Sequence, residues 1–291
     1  MLGWSRHFAA MTENLENKRY CFEMVRRDDH ERYLTSLFAS KVAQRAVWAV
    51  LAFNQEVAKI RDNITETALG EIRLQWWQEV LVEIQKGTIR QQPVIQELAA
   101  IEGSKKIWIL LEESLEARSL EMTADAPTSL LSLQQYTNGV GGALHEAILH
   151  VCAKSPVSAE AILAARSAGT AWAMTGLIRA LPFHWQAGRS MLPQDNDLAM
   201  QIRNAAKAFE ALEPTILEMR AFVEAQLVYV RKNFKSVPRE ARPSVLCVPL
   251  IKQHLRVLEK AGNNPFETPP FAVSDLRKIS SLVWHIVKGR F

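Results

Sequence analysis

An all-α fold, built as one large helical bundle, is predicted by three features of the sequence. Of 291 residues, 48% are hydrophobic while Gly and Pro number only 12 each, so there is a large core to bury and little turn vocabulary. Apolar residues recur at helical spacing through most of the chain. The breaks between these stretches are short, and no repeat period, low-complexity run or linker stands among them. At this length one core still suffices, and the expected division is a flexible N-terminal tail over 1–12 and one helical domain over 13–291.

In chain order, Thr12 and Leu15 open a helix that carries Tyr20, Phe22, Met24 and Val25 towards Arg27. From about Lys41 to Asp62, Val42, Arg45, Ala46, Ala49, Phe53, Val57 and Ile60 form a broad stripe at helical spacing. The run Asn63-Ile64-Thr65-Glu66 offers caps to a third helix that reaches Lys86 and stops at Gly87. It carries Trp76-Trp77, read as core packing because large aromatics are mostly buried in helical cores. Pro93 starts a short helix, and Lys105 to Leu120 forms another with Ile107, Trp108, Leu111 and Leu115 inward. Thr123 to Pro127 is a loop, after which Thr128 or Ser129 caps a long apolar helix through Tyr136 to Val151. Inside that helix, Gly141-Gly142 marks the close approach of a neighbour. Pro156 precedes the next helix, and breaks at Pro193, Pro214, Pro238 to Pro243 and Asn263 to Pro270 divide the rest into about four.

The 35 basic and 31 acidic residues leave a net charge of +4, spread along the chain. That permits contact with anionic headgroups but lacks the clustered footprint of a nucleic-acid binder, so no nucleic acid is expected as partner. Cys21, Cys152 and Cys247 stand far apart, which argues against a CxxC zinc site or a disulfide framework and fits a reducing compartment. No apolar run approaches the roughly 20 residues of a spanning helix. His145-Glu146 with His150 imitates HExxH, but these histidines are five apart, roughly 140° around a helix, and do not share a face. Glu79 with Glu83, and Glu112, Glu113 and Glu116, read as solvated faces paired with Lys86 and Arg118. The stretch from Ile279 to Phe291 sets Leu282, Val283, Trp284, Ile286 and Val287 against Lys288 and Arg290, which suits either a helix lying at a membrane interface or one packed on the domain.

Three stretches are more specific. Trp48-Ala49-Val50-Leu51-Ala52-Phe53-Asn54-Gln55 is followed by Ala58-Lys59-Ile60-Arg61-Asp62. Tyr136, Val140, Gly142 and Leu144 fit YxxxVAGxVG, with Gly141 at its Ala and His145 at its last Gly. The run from Gly169 to Arg179 leads through Ala180, Phe183 and His184 to Gly188-Arg189-Ser190-Met191-Leu192-Pro193-Gln194-Asp195, close to GRxYLPxD. Here the chain resembles the squalene/phytoene synthase family. The resemblance implies a bundle of the isoprenoid synthase type, about 12 helices around a central cavity. The family's Asp-Asp-x-x-Asp falls on Ala58, Lys59 and Asp62, and only Asp62 matches. Its second acidic set falls on Ala180, Phe183 and His184, and none matches.

That loss bears on chemistry. Joining isoprenyl diphosphates requires Mg²⁺ held between carboxylate clusters, and a hard cation wants about six oxygen ligands. Ala58, Ala180 and Phe183 offer none, and Lys59 would repel a metal. The family's diphosphate-positioning Ser-Phe pair reads here Glu31-Arg32, and an acid there opposes an anion. The run from Ala52 to Ile60, with Ile72-Arg73-Leu74-Gln75-Trp76-Trp77, resembles the complex I assembly-factor branch of the family. The implied role is non-catalytic assistance in assembling respiratory complex I, NADH:quinone oxidoreductase, at a membrane surface, with complex I subunits or other assembly proteins as partners. The implied location is the cytoplasm, peripheral on the inner membrane, or the matrix side in a mitochondrion. The alternative is a prenyltransferase of the squalene or phytoene synthase type, with Mg²⁺ as cofactor, or a protein that binds isoprenoid lipid or diphosphate without turnover. No catalytic residue and no metal ligand is expected under the first reading. Candidate residues of the vestigial cavity are Arg45, Phe53, Lys59, Asp62, Tyr136, Arg179, His184 and Arg189. Among these, the basic groups Lys59, Arg45, Arg179 and Arg189 are the candidates for a metal-free diphosphate clamp, because guanidinium matches phosphate oxygens in bidentate geometry.

Overall fold

The computed structural model describes residues 2–63, 66–102, 105–122, 127, 129–188, 191–193, 202, 204–269 and 273–289. Among them, twelve α-helices follow one another: α1 (Leu2–Asp28), α2 (His30–Ser36), α3 (Lys41–Asn63), α4 (Thr67–Gln85), α5 (Pro93–Ala99), α6 (Lys105–Arg118), α7 (Leu130–Thr137), α8 (Ala143–Cys152), α9 (Ala159–Gln186), α10 (Ala205–Asn233), α11 (Val248–Lys260) and α12 (Asp275–Lys288). Short 3₁₀ turns fill several joints, and no strand occurs among the described residues. Helix α1 takes in most of the segment 1–12.

Two helices form the middle. From Val47 to Asn54 every residue of α3 is buried, so this helix is enclosed on all sides rather than amphipathic. In α9 the buried positions include Ala161, Ala164, Ala165, Ser167, Ala168, Gly169, Thr170 and Ala171, small residues that let neighbouring backbones come close. Helices α8 and α10 pack along it.

The tightest crossing is between α9 and the turn that joins α7 to α8. The sequence leads one to expect a single long helix there; instead Asn138–Gly142 forms a π-helical turn between two α-helical pieces. One extra residue in the turn swings Gly141 onto Gly169. A Cβ on either glycine would fall on the other's carbonyl, and would also crowd Ala173 from Gly141 at 2.7 Å and His145 from Gly169 at 2.8 Å. Asn138 steadies the junction: its Oδ1 accepts from Arg166 Nε at 3.3 Å and from Thr170 Oγ1 at 3.4 Å.

The other ends follow local chemistry. Ser129 caps α7 in a reciprocal pair with Ser132, Ser158 caps α9, and Gln92 caps α5 ahead of Pro93. Glu66 precedes α4 without a side-chain cap, and Gly87, at φ +84°, ends the turn beyond it. Pro214 does not break the chain: it lies inside the 29-residue helix α10. The buried Leu212, Ile216 and Met219 hold that helix along α9, and packing over its whole length outweighs the roughly 3 kcal/mol that an interior proline costs. Among the described residues the last third of the chain holds three α-helices, α10 to α12.

The Gly141–Gly169 contact predicts Gly169→Ala to lose about 2–3 kcal/mol of stability despite alanine's better helix propensity, because backbone cannot yield as a flexible side chain does. Gly176→Ala, where no atom lies within 4 Å of the added Cβ, should instead gain about 0.5–1 kcal/mol. Urea denaturation of both variants checks this; equal shifts would show that the crossing is not tight.

Candidate functional site

The C-terminal half of α9 is less buried than its start, and a cavity of about 510 Å³ opens beside it. Thr175, Gly176, Ile178, Arg179, Ala180 and Phe183 form one wall. His254 and Leu258 of α11, Phe266 of the following 3₁₀ turn, Lys278 of α12 and Glu31 of α2 complete it.

Glu31 organises the polar end. Its Oε2 accepts from Arg179 Nη1 at 3.0 Å, its Oε1 pairs with Lys278 Nζ at 3.0 Å, and His254 Nε2 stands 3.0 Å from both oxygens. Burial alone would raise the Glu31 carboxyl, but the His254 hydrogen bond, Arg179 and Lys278 outweigh it and hold the group well below the usual carboxylate range. Burial, opposed by the Glu31 hydrogen bond, leaves the His254 pKa below its ordinary value. A carboxylate of the chain itself therefore occupies the cationic corner of the pocket.

The candidates named from sequence are dispersed. Arg179 lines this cavity. His184 is half-buried one residue beyond Phe183, with the two rings 5.8 Å apart. Arg45 is held bidentately by Glu97, at 2.6 and 2.7 Å. Lys59 Nζ lies 2.5 Å from Asp28 Oδ2, which the adjoining Arg27 and Lys59 hold at a pKa of about 2. Phe53 is fully buried against Trp77, edge to face at 5.2 Å. Tyr136 is buried with its hydroxyl on Glu121, which also pairs with Arg118 at 2.7 Å, and Arg118 donates to the buried Asn54 at 2.9 Å. Asp62 is exposed near the end of α3. Arg189 lies outside the described residues, as do Ser190, Gln194 and Asp195 of the same motif.

The expected partners of the acidic faces also change. Glu83 pairs bidentately with Arg90, which reaches Glu79 at 3.9 Å, rather than with Lys86. Glu113 and Glu146 share Arg166. Sequence reasoning noticed Glu31 without its partners and missed His254 and Lys278 altogether. A signal existed: His254 stands four residues from both Leu250 and Leu258, and Lys278 four from Leu282, each a polar group on the buried stripe of its helix.

The acidic positions that would hold Mg²⁺ in a synthase do not fit the ion. Phe183 and Ala180 present carbon to the cavity, and Lys59 is an ammonium already paired with Asp28. Among the described residues no three His, Cys, Asp or Glu side chains converge as a metal-holding group. Nor do the thiols offer a nucleophile: Cys21, Cys152 and Cys247 are buried and free, and burial pushes each up to about 12.

Beneath the site, His145 donates Nδ1–H to the Ser244 carbonyl at 2.7 Å, while its Nε2 is buried with no hydrogen-bond partner. Burial and then the Arg32 charge depress its pKa to about 4. The unfolded chain therefore binds a proton below the ordinary value of 6.5 that the folded protein refuses until about 4, so stability falls as pH drops through that window. The loss should reach about 2 kcal/mol by pH 5, and His145→Asn should flatten the slope; parallel slopes would sink the assignment. At neutral pH, Glu31→Gln should cost about 2 kcal/mol by stranding Arg179 and Lys278, read by the same denaturation.

Comparison with known proteins agrees with this architecture. The chain is 26% identical over 256 residues to the mouse protein named NADH dehydrogenase (ubiquinone) complex I, assembly factor 6, with 85% of this chain and 75% of that one covered. It is 25% identical over 257 residues to the human protein of that name, with the same coverage. A dehydrosqualene synthase crystal structure superposes at TM-score 0.76, 17% identical, over 95% of this chain and 97% of that one. A squalene synthase of Alicyclobacillus acidocaldarius superposes at 0.70, also 17% identical, over 88% and 97%. The sequence profile described as squalene/phytoene synthase matches residues 25–279, and the chain belongs to that family.

Proposed function

We propose that this protein is a non-catalytic member of the squalene/phytoene synthase family that assists the assembly of respiratory complex I, working at the membrane surface. The observation that carries this reading is Glu31 seated among Arg179, His254 and Lys278: the cationic corner is already neutralised from within. Synthase chemistry depends on neutralising the leaving diphosphate. Among the described residues, Arg45, Lys59 and Arg179 each pair with a carboxylate of the same chain, so these three do not stand ready as a metal-free clamp in place of the missing metal ligands. The relatives whose names describe complex I assembly factors support the direction of the role. Its partners would be complex I subunits or other assembly proteins, met on the cytoplasmic or matrix face of the inner membrane.

Two measurements test the reading. Removing the gene from its own host should lower assembled, NADH-oxidising complex I, and restoring the chain should bring it back; normal complex I without the chain would overturn the proposal. Titration with farnesyl and geranylgeranyl diphosphate, with and without Mg²⁺, should give no condensed product. Ala58→Asp combined with Lys59→Asp should not create one, because Ala180 and Phe183 still lack ligand oxygens. Metal-dependent product from the parent chain would make it a prenyltransferase instead.

A further inference from the structure

Helix α12 uses only part of its apolar surface to pack. Leu282 is fully buried on a small cluster with Leu34, Leu246 and Leu250, and Ile286 leans on the same group. Lys278 reaches inward to Glu31, and Asp275, the helix's single acid, pairs with His30 at 3.0 Å. These contacts pin the helix to α2 and α11.

A second apolar stripe faces away. Leu276 is 79% exposed, Val287 76%, Trp284 59% and Val283 44%. At 100° per residue, Leu276, Val283 and Val287 fall within roughly 20° of one line, with Ile279 at one margin and Trp284 at the other. On the Trp284 side stand the exposed Arg277 and Lys288, and the Lys288 ammonium lies 4.7 Å over the Trp284 ring. The turn after α2 adjoins the same cluster through Phe38 and carries the exposed Leu37, and the first residues of α3 add the cation Lys41 and the exposed Val42.

From this we infer that the outer face of α12 docks the protein on an anionic lipid surface, Leu276, Val283 and Val287 entering the headgroup boundary and Arg277 and Lys288 meeting the phosphates. Charge complementarity selects the occupant: Asp275, half exposed and paired with His30 and Lys278, stands on the opposite side of the helix from Arg277 and Lys288, so the flank beside Trp284 carries cations of this helix and none of its acids. Aliphatic side chains flanked by a tryptophan and cations are the composition of interface-lying helices, whereas the centres of protein–protein contacts favour aromatic and Met side chains. No described helix is long and apolar enough to cross a membrane. The inference deepens the membrane-surface location proposed above and rests on it for its biological setting, but not for its chemistry.

The test is co-sedimentation of the full-length protein with vesicles of pure phosphatidylcholine and of equal parts phosphatidylcholine and phosphatidylglycerol. The parent should bind the anionic vesicles preferentially. Arg277→Glu with Lys288→Glu should weaken that binding at least about 25-fold, since each lost surface cation costs about fivefold. Val283→Glu with Val287→Glu should abolish binding while leaving the thermal midpoint unchanged, as both side chains are exposed. Failure of the parent to sediment, or sedimentation of the Val283/Val287 variant like the parent, would overturn the inference. So would self-association through this face, read as a concentration-dependent dimer that the same variant loses. Complex I levels in the host lacking the gene separate the two proposals: a lipid-indifferent protein that is still needed for complex I would sink only the docking surface.

Discussion

Everything in this bundle is arranged around one backbone contact, Gly141 against Gly169. Helices separated by ordinary side chains lie 8–10 Å apart; here the π-turn and two missing Cβ atoms bring α9 against the α7–α8 junction closely enough for carbonyl to meet Cα. The approach is possible only because the buried positions in the first half of α9 are Ala, Gly, Ser and Thr. It also fixes where α9 leaves the core. Past Met174 the helix turns from an enclosed rod into the wall of a cavity, and the side chains it shows there, Arg179, Ala180 and Phe183, are set by that exit.

At the cavity the decisive effect is electrostatic. A buried corner holding Arg179, Lys278 and an imidazole would draw in a polyanion if left open. Glu31 closes it, and His254, Arg179 and Lys278 around it hold its carboxyl below the usual carboxylate range. The same pattern repeats at Arg45 with Glu97 and at Lys59 with Asp28. An incoming diphosphate would have to displace these carboxylates, which are tethered to the same chain and so enjoy a high effective concentration.

How much of this could be read beforehand depends on range. Helices were readable wherever a stripe or a cap was local: α3 ends within a residue of its expected limit, and Pro93 starts α5. The close approach at Gly141-Gly142 was readable too, because glycines inside an apolar helix have few other uses. The π-turn was not, since it depends on Asn138 meeting Arg166 and Thr170, 28 and 32 residues away. Pro214 misled because local propensity said break while α9, invisible in a local window, said helix. The site suffered most. Arg179 and Glu31 are 148 residues apart and His254 and Glu31 are 223 apart, so spacing could nominate Arg45, Lys59 and Arg179 as one basic group when the fold gives each its own acid.

The family frame persists here without its metal ligands because the two rest on different residues. Packing of α3 and α9 depends on Phe53, Trp77, Met174 and the glycine crossing, none of which carries a side-chain oxygen to offer a hard cation. The ligand positions lie at helix ends beyond that core, where Ala180 and Phe183 cost the bundle nothing. Replacing clustered carboxylates by carbon there even removes like-charge repulsion that only a bound cation would offset. The bundle therefore keeps its packing without those carboxylates, and it is the exterior, with α12 on one flank, that an assembly role would use.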